Sequence, residues 1–374
     1  MTFLRRFIVL LLIVGLFWHF YGDSFKESGV GGVFENIQSD IYRIGEHPVV
    51  SNTLDWIGQE IRLLSDKVSE TFQDQDSPIQ LEKPELSAPS DHLFSIHNIE
   101  LGDLRADVEA QIGEPERATR NEYGVDWVTY HQNYQHFMMI SYDDDDRVNG
   151  LYTNQDLLTS SNGITFESTR EEVLSVLPKP LQTLRKGLVN YEIQDNGEFH
   201  TFEIDQSYTT IFYDVHQNNT VTAILIIDKQ LEKQKKNYFG MPSEELREGF
   251  EYQLFDLTNA ARVKHGLSVL DWEESALETV RAHSQDMAEN NYFSHTNLEG
   301  KSPFDRLTED AVAYQRAGEN LAAGQQSSIF AHEGLMNSPG HRENKLHNSY
   351  RTLVVGVAFN KDSLPFYTEN YIAN

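Results

Sequence analysis

Cysteine does not occur anywhere in the 374 residues. Its absence excludes disulfides, thiol nucleophiles, thiolate metal sites and a lipid-modified cysteine anchor together, and leaves burial as the source of stability. Cationic side chains are few: 30 Lys and Arg against 58 Asp and Glu give a formal charge of −28. A field of that sign repels phosphate backbones and anionic headgroups, so no nucleic-acid partner is expected. Several catalytic templates are missing as well. There is no Gly-x-Ser-x-Gly elbow and no phosphate-cradling Gly-x-x-x-x-Gly-Lys loop, and His332-Glu333 is followed by Met336 where a zinc-protease helix needs its second histidine.

One long apolar run is present, at residues 7–18. Arg5 and Arg6 precede it and Phe20 and Tyr21 follow, with no small-x-small cleavage site beyond. That pattern predicts an uncleaved signal anchor over residues 1–22: a single-pass protein of the cell membrane with the bulk of the chain outside, or a secreted one if the signal is cleaved. Residues 23–92 read as a juxtamembrane segment. Leu54, Ile57, Ile61, Leu64 and Val68 fall at helical spacing, and 71–92 is polar and punctuated by Pro78, Pro84 and Pro89, as in an extended linker.

A repeat follows. Laid over each other at a spacing of 65 residues, 99–115 and 164–180 match at Ile99 and Ile164, Arg105 and Arg170, Val108 and Val173, and Pro115 and Pro180. In each copy a capping residue, Asp103 or Ser168, is expected to open a short helix, with Ser168 and Glu171 forming a capping box. Strand-like runs come next, so 98–155 and 163–228 read as two units, each a helix on a small antiparallel sheet, within a domain of residues 93–230. The run Asp143 to Asp146 reads as a solvated hairpin tip, and no ligand is assigned to it. A lysine-rich connector leads to a last domain, 243–374. Ser243 caps its first helix, whose face Leu246, Phe250, Leu254, Leu257 and Ala261 is core. A second helix is expected from Asp271, with His283 on its inner stripe as a hydrogen-bonded core histidine rather than a ligand.

The order of segments in this last domain resembles the bacterial branch of the CAP superfamily (cysteine-rich secretory, antigen 5 and pathogenesis-related, or SCP-like, proteins). The pieces that carry the resemblance are Asn259 with Arg262, then Ala282-His283-Ser284-Gln285-Asp286-Met287, Tyr292-Phe293-Ser294-His295, Pro303-Phe304-Asp305-Arg306-Leu307, Gly318-Glu319-Asn320-Leu321-Ala322, and Met336-Asn337-Ser338-Pro339-Gly340-His341-Arg342-Glu343-Asn344. The first repeat, with Pro115, Tyr123-Gly124, Trp127 and Tyr130, resembles the CAP-associated N-terminal region of some Gram-positive proteins. The resemblance implies a C-terminal α-β-α sandwich, and with the duplicated region and the N-terminal membrane helix read from the sequence ahead of it the chain is expected to be α+β. It also implies a cleft in which two histidines and two glutamates can hold Zn2+ or another divalent cation. His295, Glu319 and His341 match three of these. Where relatives carry a tryptophan and the fourth acid, this chain has Leu335 and Ser338, which leaves Glu343 or Glu333 as the fourth ligand. Alternatively, the three side chains form a hydrogen-bonded network that braces the cleft.

Two functions are open at this point. One is an extracytoplasmic, membrane-anchored binding or structural module that presents its cleft and repeats to a cell-wall polymer, peptide or protein. The other is a metal-dependent hydrolase, protease- or nuclease-like, with a metal-bound water at His295, Glu319 and His341 and a glutamate as base.

Overall fold

Strands of the duplicated region carry apolar side chains at consecutive positions: Phe137, Met138, Met139 and Ile140 are all buried. Such a strand needs cover on both faces. The computed structural model describes residues 81–373 apart from 187 and 188, and it supplies that cover. The expected anchor and amphipathic segment, and the first ten residues of the linker, 71–80, lie outside the described residues.

In chain order the first part contains β1 (Phe94–Ile96), α1 (Arg105–Ile112), β2 (Arg117–Arg120), β3 (Asp126–Gln132), β4 (Gln135–Tyr142), β5 (Val148–Thr153), β6 (Leu158–Ser160), α2 (Arg170–Val176), β7 (Thr183–Lys186), β8 (Val189–Glu192), β9 (Phe199–Ile204), β10 (Ser207–Asp214) and β11 (Thr220–Asp228). The two repeats do not form two small sheets. They share one seven-stranded sheet of order β2-β3-β4-β5-β11-β10-β9, joined where β5 and β11 pair antiparallel from Thr153 with Ile224 to Gly150 with Ile227. The offset between copies is 65 residues at the helix starts, Arg105 and Arg170, but 71 at Tyr142 and Tyr213, where the register of both copies shifts, so six residues are extra in the second copy by that point. The separate β7–β8 hairpin lies in that stretch.

Both helix starts differ from expectation by about one residue. Thr169, not Ser168, caps α2, with Glu172 completing the box. Leu104 holds the cap position of α1 without a side-chain bond, because the Asp103 carboxylate is taken by the Glu100 N–H at 2.8 Å. Asp143 shapes the β4–β5 turn by accepting from the N–H groups of Asp145 and Arg147. The end of the expected linker lies against the first repeat: Ser90, Asp91 and His92 donate backbone N–H groups to the Glu100 carboxylate.

The second part runs α3 (Lys229–Gln234), α4 (Glu244–Lys264), β12 (Asp271–Trp272), a 3-10 turn (Glu274–Ala276), α5 (Leu277–Asn290), α6 (Pro303–Glu309), β13 (Arg316–Ala323), α7 (Ser328–Asn337), α8 (Pro339–Lys345), β14 (Thr352–Phe359) and β15 (Pro365–Ala373). Ser243 caps α4 as expected, its hydroxyl accepting from Leu246 N–H. The second helix does not begin at Asp271. Asp271 and Trp272 pair parallel with Thr352 and Leu353, and α5 starts six residues later. The sheet has the order β12-β14-β15-β13. One face packs on α4 and α7 through Phe250, Leu254, Leu335 and Tyr367. The other packs on α5 and α6 through Val280, Leu307, Val354 and Ile372. This is the α-β-α sandwich.

Helix α4 has two core faces where the sequence suggested one. Leu246, Phe250 and Leu254 meet the four-stranded sheet, while Leu257 and Ala260 meet Trp127, Phe137, Met139 and Phe212 on the seven-stranded sheet. The opposite face of that larger sheet holds Val108 of α1 and Val173 of α2. Among the described residues no helix is long and apolar enough to cross a membrane.

Candidate functional site

His295 follows α5, whose end is set by Asn291 in the left-handed conformation. Glu319 lies on β13 and His341 on α8. His295 Nδ1 and Glu319 Oε1 are 2.9 Å apart. Glu319 is buried, with 2% of its side chain exposed, whereas the His295 ring is 43% exposed. The second carboxylate oxygen accepts from Arg306 of α6 at 2.6 Å, and the same guanidinium donates to His295 O at 2.7 Å. Arg306 therefore holds the imidazole by its side-chain acceptor and its own backbone. An ionised Glu319 requires the proton on His295 Nδ1, which directs Nε2 away from the carboxylate. Gly318 lets side chains pack close beside it: a Cβ there would stand 2.4 Å from the Tyr350 hydroxyl and 3.1 Å from Asn344 Oδ1.

His341 is placed by different partners. Its Nδ1 is 2.7 Å from Ser338 Oγ, and Asn320 donates to its backbone oxygen at 3.1 Å. Burial lowers its pKa, the Glu369 charge opposes that, and the His295 ring lowers it further, so the two imidazoles lie within each other's field. Ser338, which stands where relatives carry the fourth acid, makes no side-chain cap bond and supports His341.

The structure thus joins His295 to Glu319 directly and His341 to them through Asn320, whose neighbour Asn344 also donates to Glu319 O at 3.3 Å. The two candidate fourth ligands are elsewhere. Glu333 of α7 is buried against the seven-stranded sheet and accepts from the Tyr152 hydroxyl at 2.7 Å. Glu343 is exposed on α8, with Tyr350 as the neighbour its charge acts on. Among the described residues no group of three or more His, Asp or Glu side chains is arranged to hold a metal ion. His283 is a core histidine as expected, its Nε2 3.0 Å from Ser294 O.

Three charged residues of the site were not singled out by sequence. Arg306 sat inside a family motif without a role. Lys345 and Glu369 form an ion pair of 2.5 Å with neither side chain exposed. Around them Tyr371 and Asn320 donate to Glu369, and Lys345 donates to Thr258. A signal existed for Glu369: Thr368-Glu369-Asn370 interrupts the otherwise apolar and aromatic β15 at its centre. A cleft against β9 and β10, lined by Tyr123, Phe199, Tyr208, Glu232, Tyr238 and Phe330, lies apart from all of these.

Two family models match the chain, one described as CAP-associated N-terminal over residues 101–238 and one as the cysteine-rich secretory protein family over 255–371. YlbC, an uncharacterized membrane protein of Bacillus subtilis, is 30% identical over 298 residues, 73% of this chain and 82% of its own. YkwD of the same organism, an uncharacterized protein, is 37% identical over 123 residues, 33% of this chain and 47% of its own. Among solved structures, an extracellular protein containing a SCP domain from Bacillus anthracis superposes with a TM-score of 0.63 at 26% identity, covering 79% of this chain and all of the other. A cysteine-rich secretory protein from Staphylococcus aureus gives 0.58 at 14% identity, over 78% of this chain and all of the other, a likeness of fold alone. The chain belongs to the CAP superfamily of cysteine-rich secretory proteins, in the form that carries a CAP-associated N-terminal region ahead of the CAP domain.

Proposed function

We propose that this chain is an extracytoplasmic, membrane-anchored binding module whose cleft contacts a cell-wall polymer, peptide or protein through His295 and His341. The observation that carries the reading is an exposed imidazole hung on a buried carboxylate–guanidinium pair, His295 on Glu319 and Arg306. Burying such a pair costs desolvation, and an outward ring with a fixed free nitrogen is what that cost yields. Location outside the membrane rests on the description of YlbC as a membrane protein and of the Bacillus anthracis protein as extracellular, and on the apolar run at residues 7–18.

A divalent cation such as zinc would find two imidazole nitrogens as donors. Each ring has its Nδ1 partnered, by Glu319 or by Ser338, which leaves Nε2 of His295 and of His341 as ligands. Glu319 then stands behind its imidazole as the orienting carboxylate and not as a ligand, because both its oxygens are taken. The hydrolase reading needs a general base in reach, and Glu319 is committed while Glu333 faces the other sheet. Binding is therefore the better-supported function.

Calorimetric titration of the full chain with zinc should give heat that disappears in His295→Ala and in His341→Ala. Glu319→Gln should weaken the affinity by about 10- to 100-fold without abolishing it. Co-sedimentation with cell-wall fragments should fall in the same variants, and unchanged co-sedimentation in a His295→Ala/His341→Ala double variant would remove the cleft from the function.

A further inference from the structure

The turn that carries His341 is gripped from outside the CAP domain. Asn337, at the end of α7 and buried, donates its amide to Tyr213 O at 3.0 Å and accepts the Val215 N–H on its side-chain oxygen at 3.1 Å. Its backbone oxygen is 2.9 Å from His216 Nε2. One turn further on, Arg342 donates to Asp214 at 2.9 Å and to Met336 O at 3.2 Å. Every one of these partners on the far side, Tyr213 to His216, belongs to the end of β10 or to the β10–β11 turn that follows it in the second repeat. Between Asn337 and Arg342 lie Ser338, which holds the His341 ring, and His341 itself.

The duplication provides an internal comparison. Both copies carry Tyr-Asp where the strand passes into this turn, Tyr142-Asp143 and Tyr213-Asp214. Both register shifts fall beside that tyrosine, between Ser141 and Tyr142 in one copy and between Phe212 and Tyr213 in the other. Both aspartates shape their own turn, Asp143 through Asp145 and Arg147 and Asp214 through the His216 N–H. They differ in what else they do. The first turn is exposed, with Asp143 to Asp146 all facing solvent, whereas Asp214 is 5% exposed and spends its second oxygen on Arg342.

We propose that the β10–β11 turn of the second repeat is a positioning element of the cleft, setting the orientation of His341 through Asn337 and Arg342. The duplicated region is then part of the binding site's framework as well as a neighbour of it. This rests on the reading of His341 as a ligand-contacting residue, and its test separates the two.

The test uses the full chain and two readouts: imidazole ¹⁵N spectra, which report the tautomer and surroundings of each ring without any metal, and zinc affinity. Asp214→Ala and His216→Ala should shift the His341 signals while those of His295 stay in place, and should weaken zinc by up to about tenfold. Asp143→Ala, the matched change in the first copy, should alter neither, and His216→Gln, which keeps a donor for Asn337 O, should restore the parent spectrum. His341 signals unchanged in both variants, or moved equally by Asp143→Ala, overturn the proposal. Joint shifts of His295 and His341 with a lowered melting temperature do so too, since they mark general destabilisation. If Asp214→Ala does not fold, His216→Ala against His216→Gln decides. Absence of zinc binding in the parent counts against the cation part of the cleft reading only, and the spectra still decide whether the turn sets His341.

Discussion

Lys345 and Glu369 are wholly buried beneath the cleft, and their arrangement decides what each is worth. Burial lowers the Lys345 pKa and the Glu369 charge beside it opposes that. His332, also near Lys345, is pushed well below the ordinary histidine range, first by burial and then by that ammonium, so it faces the pair as a neutral ring. Removing one charge strands the other without solvent. Lys345→Met should therefore cost about 3–5 kcal/mol in urea unfolding. Adding Glu369→Gln should recover a large part, because the amide oxygen still accepts from Asn320 and Tyr371 and no charge is left alone. A double variant no more stable than Lys345→Met would show that the hydrogen bonds, not the charge balance, hold this region.

At the scale of elements, α4 is the piece on which both sheets depend, and its closest approach is at Gly249. A Cβ there would lie 2.0 Å from Arg120 O, a backbone atom of β2 that cannot swing aside. Helix propensity alone favours alanine over glycine by about 1 kcal/mol. Contact reverses the sign: Gly249→Ala should destabilise by about 1–3 kcal/mol through overpacking, seen as a lower denaturation midpoint with an unchanged slope. A midpoint raised in the variant would mean that α4 and β2 separate more easily than their packing implies. The sequence made α4 legible through Ser243 and the apolar steps from Leu246, but not its second face, because Leu257 and Ala260 satisfy either pattern. The continuous apolar run of β4 did hold the signal of two-sided burial. Caps were less readable. Ser168-Thr169-Arg170-Glu171-Glu172 contains two overlapping capping boxes, and it is the tertiary bridge of Thr169 with Thr220 that selects the second. Likewise, Asp271 with Glu274 reads as a helix start until β14 claims Asp271 and Trp272 for the sheet. Of the site, His295, Glu319 and His341 were found by resemblance. Arg306 and Lys345 were not, since their roles arise from contacts between distant segments.

For the whole molecule, buried titratable groups pull stability in opposite directions with pH. Burial raises Glu333 from 4.5 to about 7, against the Tyr152 hydrogen bond, and raises Asp256 from 3.8 to about 6, against Arg117. A carboxyl raised in the folded state contributes stability that is complete below its unfolded value and is lost as pH rises through the folded one. These two act between about pH 4 and 7. Burial lowers His131 and His265 from 6.5 to about 4, and holds His332 well below the ordinary histidine range. Rings kept neutral by folding lose stability as pH falls below 6.5, where the unfolded chain takes up protons first. The lowered histidines, to which His283, His341 and His347 also belong, cost stability below 6.5, and above it the raised carboxyls, Glu122 and Glu251 among them, and the repulsion among a net −28 cost it. Maximal stability is therefore expected near pH 6.5, falling on both sides. Glu333→Gln isolates one contribution, because the amide still accepts from Tyr152 and the general repulsion is almost unchanged. The variant should exceed the parent by on the order of 2–3 kcal/mol at pH 8 and converge with it near pH 4, measured by chemical denaturation across that range. Parallel curves for the two proteins would mean that Glu333 is ionised in the folded chain at neutral pH and that its burial is compensated by cations around α7.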